Sequence, residues 1–397
     1  MTATPPPTET SSPAQVAPER PLDGLLVVDL SQFLSGPYCS LRLADLGARV
    51  IKIERAGAGD LSRHLYLSDT EIGGDSTIFH AINRGKESLA LDLKDPADLA
   101  ALRKLVSKAD VMIQNFRPGV AARIGVGWEE MHALNPRLVY GSISGYGDDG
   151  PWVKFPGQDL LAQARSGLMW LTGDAAQGPV PMGLAVGDMF AGVALSQGIL
   201  AALVRRGIDG IGRHVETSLL EALVDLQFEV LTTWLNDGRR MPQRSEINGA
   251  HAYLGAPYGV YAAKDGHLAL AMTPLDRLAE LMHLPELARR PPRDAFSARD
   301  AIKTLIAERV AEKTVAEWLA ILQPADIWCS EVLDWSGLME SEAFKRLDLL
   351  QTVTRDDGVR IDTTRAPFTI NGCRPQTAQA APRVGEHSRL IREEFGL

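Results

Sequence analysis

Short apolar runs alternate with segments of helical periodicity over the first part of the chain. Leu25–Leu30 is an apolar run of strand length, and the apolar positions that follow Gly36 and Pro37 recur at a helical spacing up to Leu46. Arg49–Glu54 is a second run of strand length. A strand, a helix and a strand in this order form a βαβ unit, whose right-handed crossover makes its two strands parallel.

The same alternation continues to about residue 145. Such alternation predicts an open, Rossmann-like α/β sheet of parallel strands. Sheets of this kind bind ligands beyond the carboxyl ends of their strands, so the loops that follow the strands are candidate binding positions. The further predicted elements are a strand at Leu89–Leu93, a helix at Pro96–Ala109, a strand at Val111–Ile113, a helix at Trp128–Leu134 and a strand at Leu138–Ile143.

Beyond residue 158 the pattern is mainly helical, with a hairpin signal at Asp265 and Gly266. We predict a large α/β domain formed by residues 21–225 and 331–397, to which the chain returns after a smaller α+β domain at residues 226–330. The predicted elements are helices at Leu160–Leu171, Met189–Arg206, Thr217–Leu235, Leu275–Met282, Ala301–Lys313 and Val315–Leu322, hairpin strands at Tyr258–Tyr261 and Lys264–Ala271, and extended segments at Leu349–Thr354 and Ala366–Ile370.

The first 20 residues differ in composition from the rest of the chain. They are mostly Thr, Pro, Ser and Ala, so they cannot bury enough apolar surface to offset the entropy lost on ordering. They also lack the basic start and the apolar core of a signal peptide. We predict that residues 1–20 are a disordered tail.

Charge and cysteine content narrow the class of partner. The formal net charge of −9 argues against nucleic acid, and the most apolar region, Met182–Val204, contains Asp188 and is predicted to be a buried helix rather than a membrane span. Cys39, Cys329 and Cys373 are far apart and odd in number, and the histidines show no metal-binding spacing. We therefore expect a protein of the reducing cytoplasm without a metal, membrane or nucleic-acid partner.

Two carboxylates stand where helices are predicted to begin. Asp188 directly precedes the helix Met189–Arg206, where it could accept hydrogen bonds from the first helical N–H groups and be kept ionised by the helix dipole. An ionised, fixed carboxylate can also act as a covalent nucleophile. Asp159 precedes an apolar helix in the same way. The local pattern alone favours a simple capping role for both residues.

Basic residues follow several of the predicted strands. Arg55, Lys94, Arg117 and Arg123 lie at the edge of the sheet where a phosphorylated ligand would bind, although scattered solvated charges are the alternative for any one of them. The first strand–helix turn, residues 31–37, contains a single glycine. It therefore lacks the G-x-G-x-x-G pattern of a nicotinamide dinucleotide site.

Taken together, these loops resemble those of the class III CoA-transferases, the family that includes formyl-CoA transferase, carnitine CoA-transferase and the α-methylacyl-CoA racemases. The resemblance runs from about Pro21 to Leu397, and it depends on the order and spacing of several short motifs. These motifs are Leu46–Glu54, Leu89–Lys94, Asp110–Gly119, Asn135–Arg137, Ser144–Gly147, Gly187–Asp188 and Val384–His387.

The resemblance implies roles for the residues that match the family's motifs. Asp188 matches the aspartate that becomes acylated, and Asp159 lies where formyl-CoA transferase has a glutamate near its substrate. The remaining matches concern CoA: Leu34 and Ser35 beside the thioester, Arg55 beside the adenine, Leu91 and Lys94 at the ends of a nucleotide-contacting segment, and Asn115, Phe116, Arg117 and Arg123 around the phosphates.

The implied reaction is a double displacement in which Asp188 forms first an acyl anhydride and then an aspartyl-CoA thioester. CoA is then a substrate, and no permanently bound cofactor is expected. Backbone N–H groups at the start of the Met189 helix could stabilise the oxyanions. Donor and acceptor would be a small acyl-CoA and a carboxylic acid, such as succinyl-CoA and a dicarboxylate. The family resemblance also implies an interlocked homodimer.

The chain departs from its family in two places that bear on specificity. The racemases of the family use a histidine where this chain has Gln158, and glutamine cannot shuttle a proton, so a racemase is the weaker alternative. A CoA-binding protein without catalysis is a second alternative. The segment Asn248–Gly255 holds fewer glycines than the lid loop of formyl-CoA transferase. His251 and Tyr253 within it could meet the acceptor or could simply pack at the domain junction.

Overall fold

The computed structural model describes residues 20–291 and 293–397. The predicted disordered tail lies outside the described residues except for Arg20. In chain order the strands are β1 (Leu26–Asp29), β2 (Arg49–Arg55), β3 (Glu71–Ile72), β4 (Asp75–Ser76), β5 (Lys86–Leu91), β6 (Val111–Gln114), β7 (Val139–Ser144), β8 (His214–Ser218), β9 (Gly259–Ala262), β10 (His267–Leu270), β11 (Cys329–Glu331), β12 (Leu350–Thr354) and β13 (Arg360–Thr364).

The helices connect these strands and cover both faces of the main sheet. In chain order they are α1 (Ser35–Asp45), α2 (Thr77–Asn83), α3 (Pro96–Val106), α4 (Val120–Ile124), α5 (Trp128–Leu134), α6 (Asp159–Ser166), α7 (Val186–Asp209), α8 (Leu219–Leu226), α9 (Phe228–Asn236), α10 (Leu275–Met282), α11 (Pro285–Ala288), α12 (Asp294–Ser297), α13 (Arg299–Val310), α14 (Val315–Leu322), α15 (Trp335–Glu340), α16 (Glu342–Leu347) and α17 (Ser388–Phe395).

The predicted open α/β sheet is confirmed. Six parallel strands lie in the order β5-β2-β1-β6-β7-β8. Side chains of a strand alternate between the two faces, so Val27 packs with α1, α7 and α8, whereas Val28 packs with α3, α5 and α17. Both valines are almost fully buried, because a parallel sheet covered on both faces needs apolar side chains on each.

Helix α7 begins three residues before the predicted start and crosses α1 at close range. By length and composition alone it could span a membrane, but Ala191, Leu195 and Ile199 pack into the core with α1 and the sheet. A Cβ on Gly192 would lie 2.6 Å from the carbonyl oxygen of Ser35. Only a glycine permits this approach, which brings the beginning of α1 against the first turns of α7.

Two predicted helices are shorter or interrupted in the structure. The first two residues of the predicted helix Thr217–Leu235 are the end of β8, the sixth strand of the sheet, and the rest forms α8 and α9, which meet at Gln227. The predicted helix Leu160–Leu171 ends at Ser166, because Gly167 takes a left-handed conformation with φ of 87° and a short 3₁₀ turn follows.

A three-stranded antiparallel sheet with its own core follows. The predicted hairpin is present as β9 and β10, and β11, which was not predicted, pairs with β10. Tyr261, Leu268, Leu278, Ile302 and Trp318 pack together with no more than 1% of their surface exposed. These residues come from the hairpin and from α10, α13 and α14, so this core is separate from that of the main sheet.

The chain then returns to the main sheet. Strands β12 and β13 form a hairpin, whose second strand lies at Arg360–Thr364. It precedes the predicted extended segment Ala366–Ile370, which contains an isolated bridge from Ile370 to Cys373. At the end of the chain the backbone of His387 donates to the carbonyl oxygen of Ser88 at 3.0 Å, and the hydroxyl of Ser388 accepts from the N–H of Ala90 at 3.0 Å. Helix α17 is thereby attached to β5.

Candidate active site

The first turn of α7 carries the candidate nucleophile. Helix α7 begins at Val186, so Asp188 lies inside its first turn and is not the N-cap that the sequence predicted. Its side chain is partly buried and lies near the hydroxyl of Ser35 at the beginning of α1. Among the described residues, the carboxylate of Asp188 is therefore not used to cap a helix, and it lies beside the first strand–helix turn of the sheet.

The carboxylate that caps α7 comes from another helix. Asp159 is the first residue of α6, and its Oδ1 accepts the N–H groups of Gly187 at 2.7 Å and Asp188 at 3.1 Å. The N–H of Met189 donates to the carbonyl oxygen of Ala185 at 3.1 Å. The expectation that these N–H groups stabilise reaction oxyanions is therefore wrong, since all three already have acceptors. Asp159 likewise caps α7 rather than its own helix.

The glycine of the Gly-Asp motif allows this contact. A Cβ at position 187 would lie 3.0 Å from Oδ1 of Asp159 and 3.1 Å from a methyl carbon of Leu223. Both contacts are closer than side chains normally tolerate. A glycine here therefore lets the carboxylate of Asp159 reach the backbone of α7.

The pKa of Asp188 differs from the sequence-based expectation. Burial, the nearby charge of Asp159, and the opposing hydrogen bond from Ser35 together raise the pKa of Asp188 from 3.8 to about 7. The helix dipole was expected to keep this carboxylate ionised at neutral pH, but near pH 7 about half of it is protonated. A carboxylate with a raised pKa is also a better nucleophile than an ordinary aspartate once it is ionised.

The turn between β1 and α1 is held by hydrogen bonds from three directions. The Asn115 carboxamide accepts the N–H of Gln32 at 2.8 Å and donates to its carbonyl oxygen at 2.7 Å. Lys52 donates to the carbonyl oxygen of Ser31 at 2.9 Å, and Phe33, which has a φ of 63°, donates its N–H to Asp60 at 3.2 Å. This strained conformation is maintained because its neighbours fix it.

A buried charge cluster lies beneath that turn. Lys52 pairs with Asp60 at 2.7 Å, and Lys86 pairs with Asp29 at 3.1 Å, with all four side chains 1% exposed or less. Burial alone would raise the pKa of Asp29, but the ammonium groups of Lys86 and Lys52 outweigh it and bring that pKa to about 2. Sequence reasoning missed this cluster, although charged residues within the apolar runs of β1 and β2 were a visible signal.

Most of the predicted nucleotide-contacting residues line one cavity at the carboxyl ends of β1, β2, β5 and β6. This cavity has a volume of about 520 Å³. Among the described residues, its three cationic side chains have no carboxylate within 4 Å, so they remain available to an anionic ligand. The predicted residues in its lining are Arg55, Leu91, Lys94, Phe116 and Arg123.

Other predicted site residues have different surroundings. Arg117 lines a neighbouring cavity of about 390 Å³ with Asp148 and Glu216, and Phe116 borders both cavities. The carboxamide of Asn115 hydrogen-bonds to the backbone of Gln32, so its direct contribution is to hold the turn between β1 and α1. Leu34 lies directly before α1, in the turn beside Asp188.

Two of the predicted acceptor residues, His251 and Tyr253, contact a separate region. Gln158 is the extended residue before α6 and makes no capping hydrogen bond with its side chain. The His251 Nε2 lies 3.3 Å from a carboxylate oxygen of Glu229, and its Nδ1 accepts the N–H of Tyr253 at 3.2 Å. Within the described part of the chain, the hydrogen bonds of His251 and Tyr253 do not reach Asp159 or Asp188.

Comparisons with known proteins cover nearly the whole chain. A sequence profile of CoA-transferase family III matches residues 22–388. The acetyl-CoA:oxalate CoA-transferase of Acetobacter aceti is 34% identical over 95% of this chain and 96% of its own length. The succinyl-CoA:mesaconate CoA-transferase of Haloarcula marismortui is also 34% identical, over 95% of this chain and 96% of its own length.

A more distant relative and a solved structure agree with these matches. The succinyl-CoA:glutarate CoA-transferase of Mus musculus is 28% identical over 94% of this chain and 86% of its own length. The crystal structure of a CAIB/BAIF family protein from Brucella suis has a TM-score of 0.82 and 29% identity, and it covers 95% of this chain and 100% of that protein. All the elements that carry Asp159, Asp188 and the nucleotide cavity lie within the matched region.

Proposed function

This chain belongs to CoA-transferase family III and transfers CoA from an acyl-CoA to a carboxylic acid, and we propose that Asp188 is the residue that carries the transfer. The observation that carries the proposal is the carboxylate of Asp188, which is partly buried, has a raised pKa and faces the turn at Ser35. A group with a perturbed pKa in such a position is a candidate nucleophile.

The proposed reaction has four steps. The carboxylate of Asp188 attacks the donor thioester carbonyl, which forms a mixed anhydride and releases CoA thiolate. The thiolate attacks the aspartyl carbonyl, which forms an aspartyl-CoA thioester and releases the donor acid. The acceptor carboxylate then attacks the aspartyl-CoA thioester, which forms a second mixed anhydride and releases CoA thiolate. The thiolate attacks the acceptor carbonyl of this anhydride, which forms the new acyl-CoA and regenerates the carboxylate of Asp188. No net proton is gained or lost, and water must be excluded because anhydrides hydrolyse.

Backbone donors for the oxyanions are proposed at the start of α1. Among the described residues, the N–H groups of Ser35 and Gly36 have no acceptor, and they lie in the turn that contacts α7. They belong to the first residues of a helix, where unpaired N–H groups point outward. We propose that they replace the α7 donors, which Asp159 occupies.

The CoA nucleotide is proposed to occupy the 520 Å³ cavity, with its phosphates against Lys94 and Arg123 and its adenine beside Arg55. Arg55 is the last residue of β2, Lys94 lies three residues after the end of β5, and Arg123 lies on α4, which follows β6. The pantetheine arm would then run past Phe116 and Leu34 to the thioester beside Asp188. Arg117 is proposed to contact the phosphates from the neighbouring cavity.

The proposed substrates are a small acyl-CoA and a small dicarboxylate. Relatives that are about one third identical act on oxalate and mesaconate, and a more distant relative acts on glutarate. Succinyl-CoA is the donor named for two of these relatives. Gln158, Asp159, His251 and Tyr253 remain candidates for the acceptor side of the site.

We also propose that the protein is a homodimer. Large apolar side chains are exposed on α7, at Val204 (70%) and Ile208 (73%), and in the segment that leads back to the main sheet, at Trp335 (83%). Exposed apolar surface of this kind is typical of an interface. Light scattering after size-exclusion chromatography tests the proposal, and a monomer at micromolar concentration would contradict it. The cytoplasmic location stays a prediction.

The proposed nucleophile is tested by trapping. The protein is incubated with succinyl-CoA and hydroxylamine, and peptide mass spectrometry should find one aspartyl hydroxamate, at Asp188. Asp188→Asn should abolish both the modification and the transfer of CoA to glutarate, mesaconate and oxalate. Asp209→Asn, at the other end of the same helix, is the matched control and should retain both. Near-normal transfer by Asp188→Asn would overturn the assignment.

A further inference from the structure

One buried glutamine connects the carboxylate of Asp159 to the segment that leads into α7. Gln163 lies one helical turn after Asp159 on α6, and only 1% of it is exposed. Its Nε2 donates to Oδ2 of Asp159 at 2.6 Å and to the carbonyl oxygen of Leu184 at 3.1 Å. Its Oε1 accepts the N–H of Met182 at 3.0 Å.

These bonds use both N–H groups of the carboxamide and one lone pair of its oxygen. A buried amide that is satisfied in this way has one orientation, because turning it over would place donor against donor at Met182 and acceptor against acceptor at Asp159. Gln163 therefore fixes Oδ2 of Asp159. The other oxygen, Oδ1, is then directed at the N–H groups of Gly187 and Asp188.

The same side chain holds the segment before α7. Met182 and Leu184 lie just ahead of the first residue of α7, Val186, and their backbones are bound to α6 only through Gln163 in the hydrogen bonds of the described chain. The first turn of α7 is thus attached to α6 at two points, through Asp159 at the helix start and through Gln163 at the preceding segment. The direction of the Asp188 side chain depends on both attachments.

Resting on the proposed function, we propose that Gln163 is a positioning residue for CoA transfer, which aims the carboxylate of Asp188 at the thioester by fixing Asp159 and the segment before α7. It does not touch the reacting atoms in this arrangement. Its contribution is to the geometry of attack, where a displacement of ~1 Å can lower the rate on the order of 100-fold.

The test uses two substitutions at one position. Gln163→Leu removes all three hydrogen bonds and puts an apolar side chain of similar size in place of the carboxamide. Gln163→Glu keeps the shape: the protonated acid donates to Asp159 as glutamine does, but the ionised acid places a second negative charge against it. The ionisable side chains bonded in this cluster are Asp159 on α6 and, beyond the backbone of Gly187, Asp188 on α7.

Gln227 offers a matched control. It is also buried, at 8% exposed. Its Nε2 donates to the carbonyl oxygen of Ser166, at the opposite end of α6 from Asp159, and to that of Leu223 on α8. Gln227→Leu therefore leaves buried carbonyl groups without a donor, as Gln163→Leu does, but it leaves Asp159 and the segment before α7 intact. Thermal unfolding of all variants measures the loss of stability that the substitutions share.

The measurement is a rapid-quench burst of succinate released per active site from succinyl-CoA, with KM for succinyl-CoA taken from steady-state rates. Wild type without a burst means that the proposed function fails, independently of Gln163. If wild type shows the burst, we expect Gln163→Leu to lower its rate on the order of 100-fold with KM changed less than about 3-fold. Gln227→Leu should stay within about 3-fold of wild type in both.

The glutamate variant separates positioning from packing. The burst rate of Gln163→Glu, divided by the wild-type burst rate at the same pH, should fall as the pH rises from about 5.5 to about 8.5. The reason is that the added acid ionises within that range next to Asp159. A ratio that is constant across this range would overturn the proposal, as would a Gln163→Leu burst within about 3-fold of wild type. Because the glutamate variant is isosteric, it decides the question even if the leucine variant fails to fold.

Discussion

Replacing Asp159 with asparagine tests how the two carboxylates share the site. Burial is the largest cause of the raised pKa of Asp188, and the charge of Asp159 is the next. Asparagine removes that charge, and its carbonyl oxygen still accepts the N–H groups of Gly187 and Asp188. Its amide, however, meets the Nε2 of Gln163 donor to donor. The substitution therefore alters both the charge near Asp188 and the geometry of α7.

The two effects appear in different parts of a pH profile. Asp188 attacks only when ionised, so with a pKa of about 7 the acylation rate should be about one tenth of its plateau at pH 6 and about nine tenths at pH 8. In Asp159→Asn the midpoint should fall below about 7, because a nearby negative charge is gone. It should remain above the ordinary 3.8, because burial persists. Misplacement of α7 should lower the plateau and leave the midpoint unaffected.

The assay is the rapid-quench release of succinate from succinyl-CoA in a series of buffers of constant ionic strength, with Asp188→Asn as the blank. The midpoint and the plateau are fitted separately for wild type and for Asp159→Asn. A wild-type midpoint near 4 would refute the statement that burial and Asp159 raise the pKa of Asp188. A variant midpoint at or above that of wild type would refute the contribution of Asp159.

Further predictions concern stability and substrate binding. Because the pKa of Asp188 is raised, the stability of the folded wild type falls as pH rises from about 4 through about 7. In thermal unfolding scans, Asp188→Asn should therefore have a higher Tm than wild type at pH 8 and the same Tm as wild type below about pH 4. Gly187→Ala should lower the free energy of unfolding by about 1–3 kcal/mol, because its Cβ would lie 3.0 Å from Oδ1 of Asp159. Urea titration measures this loss, and an unchanged urea midpoint would contradict the packing described. Arg123→Gln should raise KM for succinyl-CoA by roughly 5- to 10-fold and change kcat little, and the difference should shrink in high salt, whereas an equal fall in kcat would contradict a role in nucleotide binding.

The sequence predicted the elements whose patterns are local. Most residues of Leu25–Leu30 and Arg49–Glu54 are buried, and their apolar residues predicted the correct strands at the centre of the sheet in spite of the charged Asp29 and Lys52. Trp128–Leu134, Leu275–Met282 and Val315–Leu322 are helices with the predicted bounds. Each of these elements has a pattern set by its own residues and by the face that it buries.

Elements that depend on distant neighbours were missed. Strand β8 is a polar segment, His214–Ser218, and it is a strand because β7 offers an unpaired edge, which the sequence does not reveal. The same limit applies to the site. The sequence predicts Asp188 as a cap because a helix follows it, but Asp159, 29 residues earlier, accepts the first N–H groups of α7. Spacing along the chain therefore identified both carboxylates but expected each to cap the helix that follows it, whereas Asp159 caps α7 and Asp188 caps neither helix.

Gln163 illustrates a second kind of limit. Its place on α6 was predicted as part of an apolar helix, but its three hydrogen bonds go to residues 4, 19 and 21 positions away along the chain. A polar residue on the inner face of a helix was the available signal. Its meaning depends on where the segment before α7 lies, which no local pattern specifies.

The attachment of the last helix to β5 has a consequence for the order of synthesis. The N–H of Ala90 and the hydroxyl of Ser388 that it meets are 298 residues apart, and β5 is the outer strand of the sheet, next to the cavity at Arg55 and Leu91. At ~5–20 residues per second a ribosome needs roughly 15–60 s to make the intervening chain. Until then β5, whose last residue Leu91 lines the nucleotide cavity, lacks the helix that is attached to it. Removal of residues 387–397 would take away both hydrogen bonds to β5 and the buried Ile391, and it would leave that outer strand uncovered.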